Sequence, residues 1–351
     1  MKERTENEMN CLAIGDLKVT SEIFDKILEG CSLFDRYESI EWHAEKDGVD
    51  WRNVVRRVET MGYRSYDPPD GLAERMKNVE ILFVHLCPVS EKVMDAAPKL
   101  KYIMTVRGGV ENIDVQAARK RGISIINCPA HNAVAVAEYT IGLIISEMRN
   151  ITRADRALRD GMWREQYPNS QKIRELSDAC VGLAGLGTIG LLVAKYLKAF
   201  GTKVLAYDPC LDAGTARENG IIPVTMQELL ERADIVSLHA RIPAGSPPII
   251  GEEELRKMKP TAYLINTARA ALVDMEALEN ALKTGEIMGA AIDVFPQEPV
   301  DKEEPLLKID SVTVTNHRGG DTYNSYAMAP ALLVKQLREY LETGKGKCII
   351  H

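Results

Sequence analysis

The sequence predicts an α/β protein of two units, each built on a parallel sheet with helices packed on its faces. Three observations carry that reading. The chain has 351 residues, beyond the size at which one hydrophobic core usually stops growing, so two domains are expected. From Cys180 onward, and more loosely in the first third, short apolar runs alternate with helical periodicity, the pattern of parallel strands joined by right-handed crossovers. One of these runs leads directly into a glycine-spaced turn that opens a helix.

In the first third the strand candidates are CLAIG at 11–15, VEILFV at 79–84, YIMTV at 102–106 and ISIIN at 123–127. Helical patterns fall at 21–29, 51–61 and 114–121, the last with Asp114 as N-cap. Residues 133–149 form a long helix that is apolar nearly all round, with Glu138 and Glu147 too intrusive for a membrane. Such a helix must be covered by neighbours, between domains or across a subunit boundary, so a homodimer through this region is expected. The second half supplies six more strands: VGLAG at 181–185, KVLAY at 203–207, DIVSL at 234–238, YLIN at 263–266, AAIDV at 290–294 and VTVT at 312–315. A last helix, 322–343, ends before Gly344 and is expected to pack back on the first domain, since chain termini often lie close together.

Composition excludes several classes. Hydrophobic content of 45% with 27% charged residues fits a folded globular chain rather than a disordered one. The polar start, MKERTENEMN, lacks the basic-then-apolar pattern of a secretory signal, and no run of 18 apolar residues occurs, so a cytoplasmic protein without a membrane span is expected. A net charge of -7 without a Lys/Arg block argues against nucleic acid or anionic lipid as partner. Seven scattered cysteines with no CxxC pair read as small buried hydrophobes in a reducing compartment. His43, His85, His131 and His351 show no metal-ligand spacing, so no metal is expected.

The turn at 185–190 has Gly185, Gly187 and Gly190 in GxGxxG spacing, after a strand and before a helix. Such glycines permit a tight turn, close approach of the backbone to a pyrophosphate, and close helix packing, while helix N–H groups face the negative charge. Asp208 follows at the end of the next strand, where a carboxylate accepts hydrogen bonds from ribose hydroxyls and repels a 2′-phosphate. Together these features predict a Rossmann dinucleotide domain that takes NAD.

Three further segments begin at strand C-terminal ends, where a doubly wound sheet places ligands: INTARAALVD at 265–274, AAIDVFPQEP at 290–299 and TNHRGG at 315–320. They supply Arg269, Glu298 and His317. Hydride transfer at an alcohol carbon needs a group that exchanges the hydroxyl proton, a cation for a substrate carboxylate, and an acid that holds the first. His317 suits the first role, Arg269 the second and Glu298 the third. His239 competes for the proton-transfer role, but no Arg and Glu accompany it in sequence, so it reads as structural or cofactor-adjacent. Trp163 reads as a packing residue.

Over about 80–330 the chain resembles the D-isomer-specific 2-hydroxyacid dehydrogenases, a family that includes D-3-phosphoglycerate dehydrogenase. The matching stretches are VRGGVENID at 106–114, NCPAHNAVAVAE at 127–138, GLGTIG, YDP at 207–209, INTAR, DVFPQEP and HRGG. The resemblance implies that Arg269, Glu298 and His317 are the catalytic trio. It implies cofactor contacts from Gly185, Gly187, Thr188, Ile189, Gly190, Asp208, Thr267, Ala268, Asp293, Gly319 and Gly320. It also implies a substrate site with N–H groups of Gly108 and Gly109 on the carboxylate and Arg269 beside it. Arg107 has two readings, a partner for a phosphate or second carboxylate, or an ordinary ion pair.

The expected division is a flavodoxin-like α/β substrate domain, 1–126 with 320–351, and a Rossmann NAD domain, 127–319. The expected activity is NAD-dependent interconversion of a small D-2-hydroxy acid and its 2-oxo acid. Candidates include 3-phosphoglycerate, glycerate with hydroxypyruvate, D-lactate and sugar acids. The competing function is an NAD-sensing, corepressor-like protein on the same fold, against which the retained trio argues. Three positions depart from the family pattern: Ala270 where Gly is usual, Asn316 where Pro precedes the His, and Arg241 where Pro is normal.

Overall fold

The computed structural model describes residues 9–44, 50–211, 213–243, 245–346 and 348–351. Two compact units divide the chain, Met1–Asn132 with Thr322–His351 and Ala133–Asp321. The changeovers thus follow Asn132 and Asp321, against 126 and 319 in the sequence reading.

The first unit opens with parallel strands β1 (Met9–Gly15), β2 (Phe34–Glu41), β3 (Ile81–Val84), β4 (Tyr102–Thr105) and β5 (Ser124–Asn127). The second carries β6 (Cys180–Ala184), β7 (Lys203–Tyr207), β8 (Ile222–Pro223), β9 (Ile235–Leu238), β10 (Tyr263–Asn266), β11 (Gly289–Ile292) and β12 (Val312–Val314), also parallel. The chain then returns to the first sheet, where β13 (Ile349–Ile350) pairs antiparallel with β5.

The first sheet runs β2-β1-β3-β4-β5-β13, the flavodoxin-like order with one added edge strand. The second runs β8-β7-β6-β9-β10-β11-β12, the order of a dinucleotide-binding sheet extended by one strand. Both expected fold classes are present.

Strands covered on both faces read as continuous apolar runs because every residue points into a core. In β1, Leu12 and Ile14 enter one core with Val54, Val58 and Leu82. Their neighbours Cys11 and Ala13 enter another with Phe24, Phe83, Met104 and Leu333. In the second unit, Leu264, Ala290 and Ile292 face Leu229 and Leu278, while Ile265 and Ala291 face the helix Ala133–Met148 through Ile141 and Ile144. That helix is therefore covered largely by its own unit; its exposed positions Val134, Glu138 and Gly142 form one stripe at helical spacing.

Three strands escape the sequence reading, all at sheet edges. β2 (FDRYESIE) has no fully buried residue and so no apolar run; β8 and β13 are two residues each. The expected 322–343 helix is two, Tyr323–Ala327 and Ala329–Thr343, because Pro330 in the first turn of the second has no N–H to continue the first. Asp114 caps its helix as expected, accepting from Ala117 N at 3.0 Å. Trp163, read as packing, is 82% exposed. None of the seven cysteines is in a disulfide; Cys11, Cys87 and Cys128 are buried and Cys210 is exposed. Among the described residues no helix is long and apolar enough to cross a membrane.

Candidate active site

In the second unit strand order reverses between β6 and β9, and the glycine turn sits at the end of β6. Gly185 has φ of +99°, and a Cβ there would lie 2.6 Å from Ala240 N, so no side chain fits. A Cβ on Gly190 would run into the Gly185 carbonyl oxygen, which lets the helix Thr188–Ala199 press against the turn. Around Gly187, by contrast, a Cβ would meet nothing within 4 Å. Gly187 caps the helix without a side-chain hydrogen bond, so the first N–H groups have no side-chain cap. Gly187 and Thr188 are exposed and Ile189 is half-buried. This open, donor-rich turn fits a pyrophosphate.

Asp208 leaves β7 beside that turn. Its Oδ2 accepts from Leu186 N at 2.7 Å and its Oδ1 from Cys210 N at 2.8 Å, while Gly185 N donates to Tyr207 O at 2.8 Å. The acid thus braces the turn, with lone pairs left for ribose hydroxyls. These residues fit NAD.

The INTAR segment is held by Asn266, a buried residue whose role the sequence did not reveal. Its Oδ1 accepts from Ala268 N at 3.1 Å and its Nδ2 donates to Arg269 O at 2.9 Å. Thr267 Oγ1 lies 2.8 Å from Thr140 Oγ1; because Thr140 already donates to Val136 O, Thr267 is the donor of that pair. Arg269 is exposed and donates through Nη1 to Ala268 O at 2.7 Å. Ala270 begins a short 3-10 turn. Among the described residues only Asn150 and His317 combine a side chain with positive φ, so neither Ala270 nor Asn316 needs glycine's freedom.

His317 itself has φ of +56°, a left-handed conformation that costs on the order of 1 kcal/mol and must be enforced by its surroundings. Asp293, at 1% exposure, enforces it. Its Oδ1 accepts from Thr315 Oγ1 at 2.6 Å and Arg318 N at 2.9 Å, its Oδ2 from Gly319 N at 2.9 Å, and its carbonyl from His317 N at 2.8 Å. Asp293, expected at the cofactor, anchors the 315–319 loop through these bonds. The polar residue in an otherwise apolar strand end was the available signal.

The loop presents His317 Nδ1 to Glu298 Oε2 at 2.8 Å. Glu298 Oε1 accepts from Phe295 N at 3.0 Å, which fixes the carboxylate. The Glu298 hydrogen bond raises the His317 pKa, against partial burial, which lowers it. For Glu298, burial raises the pKa, but the bonds from His317 and Phe295, with the charges of His317 and Arg269, leave it below the usual value. A charged His317 beside an ionised Glu298, with Arg269 within electrostatic reach, can hand a proton from the outward Nε2 to an anionic substrate.

His239 is a different kind of histidine. Its Nε2 lies 2.9 Å from Ser237 Oγ, and burial pushes its pKa down to about 4. A buried imidazole held neutral in this way is a poorer candidate for proton transfer than His317.

In the first unit Arg107 Nη2 pairs with Glu59 Oε1 at 3.1 Å and Glu111 Oε2 at 3.5 Å. Arg107 thus stands in an ion pair, as one of its two sequence readings expects. Gly108 and Gly109 follow; a Cβ on Gly108 would lie 3.2 Å from Pro129 Cα, and one on Gly109 would strike the Glu111 carboxylate. Gly108 O accepts from Asn127 Nδ2 at 2.7 Å. Among the described residues neither glycine's N–H has a hydrogen-bond partner, as an anion nest requires. Sequence reasoning missed a buried pair on the same sheet, at the ends of β1 and β3: Asp16 accepts from His85 Nδ1 at 2.9 Å and from the N–H groups of Lys18, Val19 and Leu86. Among the described residues no group of three or more His, Cys, Asp or Glu could hold a metal.

A Rossmann unit whose C-terminal sheet edge carries a His–Glu pair beside an arginine defines a dinucleotide-dependent dehydrogenase. The model of the D-isomer specific 2-hydroxyacid dehydrogenase NAD-binding domain matches residues 141–319, and the chain belongs to that family. It is accordingly an NAD-dependent oxidoreductase of D-2-hydroxy acids and their 2-oxo acids. A glyoxylate reductase of Thermofilum pendens is 41% identical over 282 residues, 78% of this chain and 83% of that one. The D-3-phosphoglycerate dehydrogenase of Methanocaldococcus jannaschii is 38% identical over 77% of this chain, which spans only 51% of that relative's length. The NAD-complexed D-isomer specific 2-hydroxyacid dehydrogenase of Lactobacillus delbrueckii ssp. bulgaricus shares the fold, with a TM-score of 0.76 at 23% identity, over 97% of this chain and 100% of that one.

Proposed function

We propose that the protein reduces a small, unphosphorylated 2-oxo acid of the glyoxylate or hydroxypyruvate class. In this reading His317 is the proton donor, Glu298 its charge partner and Arg269 the carboxylate-binding cation. The observation that carries the reading is the 2.8 Å contact of His317 with Glu298, which keeps a proton on the imidazole. When bound, the reduced dinucleotide would supply the hydride for this reduction. Arg269 offers the substrate carboxylate a planar fork of donors and polarises the adjacent carbonyl, while His317 donates to the oxygen that becomes the hydroxyl. Asp293, through the loop, holds His317 at its left-handed φ of +56°, so the donor needs no reorganisation.

The preference against a phosphate rests on Arg107, whose charge Glu59 and Glu111 already balance. The likeness to a glyoxylate reductase supports the same choice. A homodimer through the 133–149 region remains our proposal for the assembly, supported by exposed Val134 there and by Ile151, Leu158 and Met162 soon after it.

Oxidation of NADH against glyoxylate, hydroxypyruvate, phosphohydroxypyruvate and pyruvate, with NADPH in parallel, tests the reading. Glyoxylate or hydroxypyruvate should exceed phosphohydroxypyruvate in kcat/KM by at least about tenfold, a difference of about 1.4 kcal/mol. A preference for the phosphorylated acid would overturn the substrate class. Tight NADH binding without turnover on any acid would turn the assignment to an NAD sensor.

The pair also sets a pH dependence. Reduction needs the imidazolium, whose pKa is raised, so activity persists below that pKa and is lost as pH rises through it. Glu298→Gln removes the negative partner and lets the His317 pKa fall, so the alkaline limb of kcat/KM should move to lower pH. A limb that stays in place would separate Glu298 from His317 protonation.

A further inference from the structure

Arg241 has no place in the catalytic reading, yet it stands on the loop that leaves β9 at the strand-order reversal. The backbone just before it lies against the glycine turn. A Cβ on Gly185 would sit 2.6 Å from Ala240 N, 2.7 Å from the carbonyl carbon of His239 and 2.9 Å from Ala240 Cα. Arg241 is exposed, and among the described residues no hydrogen bond or ion pair engages it. An unneutralised guanidinium therefore stands one residue from the backbone that walls the turn. The turn itself offers open space at Gly187 and a helix start without a side-chain cap. Both lie within the matched NAD-binding domain, 141–319.

We propose that Arg241 binds the pyrophosphate of the dinucleotide, adding a charged clasp to the backbone donors of the turn. The inference rests on the cofactor reading of this unit. The 2′-position of the adenosine ribose is the other place where a dinucleotide can carry a phosphate. It belongs to Asp208, which leaves β7 on the far side of β6 from β9. Two strand spacings, about 10 Å, separate the ends of β9 and β7. The pyrophosphate, seated on the turn between them, is the nearer anion. A fork of guanidinium donors also matches phosphate oxygens in pairs, where the turn supplies single N–H groups.

Calorimetric titration of the full chain and of Arg241→Gln with NADH, NADPH, ADP-ribose and adenosine tests this, at about 20 mM and about 500 mM salt to vary screening. In low salt the variant should bind NADH, NADPH and ADP-ribose about tenfold more weakly, about 1.4 kcal/mol, with adenosine unchanged. In high salt the gap should close. Arg241→Lys should fall between the two. Because the side chain is exposed and unpaired, the melting temperature should not move. Equal affinities for NADH and ADP-ribose in Gln variant and parent overturn the proposal, as does a loss confined to NADPH, which would place Arg241 at the 2′-phosphate. Failure of the parent chain to bind NADH would sink the cofactor reading itself.

Discussion

Replacing His317 with Ala is expected to lower turnover roughly 10²- to 10⁴-fold, the range for losing a positioned proton donor, while NADH binding survives. The two effects separate because the bonds that brace the cofactor turn, Leu186 N and Cys210 N to Asp208 and Gly185 N to Tyr207 O, do not involve the imidazole. Arg269→Ala should show a loss of similar size with a larger rise in KM, since in the proposed reading it removes the carboxylate's partner. Neither change threatens the fold, as Arg269 is exposed, its side chain bonded among the described residues only to Ala268 O, and His317 is half exposed. Steady-state rates together with NADH fluorescence titration check both. Turnover within tenfold of the parent in either variant would remove that residue from the chemistry.

The largest effect on stability is expected at Arg153→Met. Glu147 is fully buried, with Oε1 on Arg153 Nη2 at 2.5 Å and Oε2 on Thr313 Oγ1 at 2.6 Å. Arg153 also donates to the carbonyls of Glu147 and Asp310 and to Asn150 Oδ1, and Asn150 continues through Asn169 to Tyr263. Removing the cation strands a carboxylate in the core, which costs about 3–5 kcal/mol. The melting temperature of the second unit should fall on the order of 10 °C. Burial already raises the Glu147 pKa, against the Arg153 charge that lowers it. A group with a raised folded-state pKa stabilises below its unfolded value and loses that as pH rises through the folded value. The variant's deficit should therefore shrink in acid, where Glu147 takes up a proton. Adding Glu147→Gln should restore part of the loss at neutral pH. A melting temperature unchanged by Arg153→Met would show that the network contributes nothing.

Neither partner of that network was legible in the sequence. Glu147 reads as a blemish on an apolar helix and Arg153 as one of many surface arginines, because nothing local records that the two face the same core. The edge strands β2, β8 and β13 were hidden for a related reason: pairing with a neighbour on one side leaves no alternation to read. The strands with two covered faces were legible throughout, since burial on both sides demands apolar residues at every position.

What the sequence determined alone is the chemistry available and the frame that bears it: the apolar runs of both sheets, the Gly185–Gly190 turn with Asp208, and the presence of Arg269, Glu298 and His317. These depend on periodicity and on residue types at short spacing, which a linear chain displays. Only the tertiary structure decided what those groups meet. Glu298 reaches His317 across 19 residues. Asp293 holds the histidine's loop rather than standing free. Arg107 is neutralised by Glu59, 48 residues earlier. An ion pair or a buried acceptor takes its energy from distance and from exclusion of water, and both arise only when remote segments are packed together.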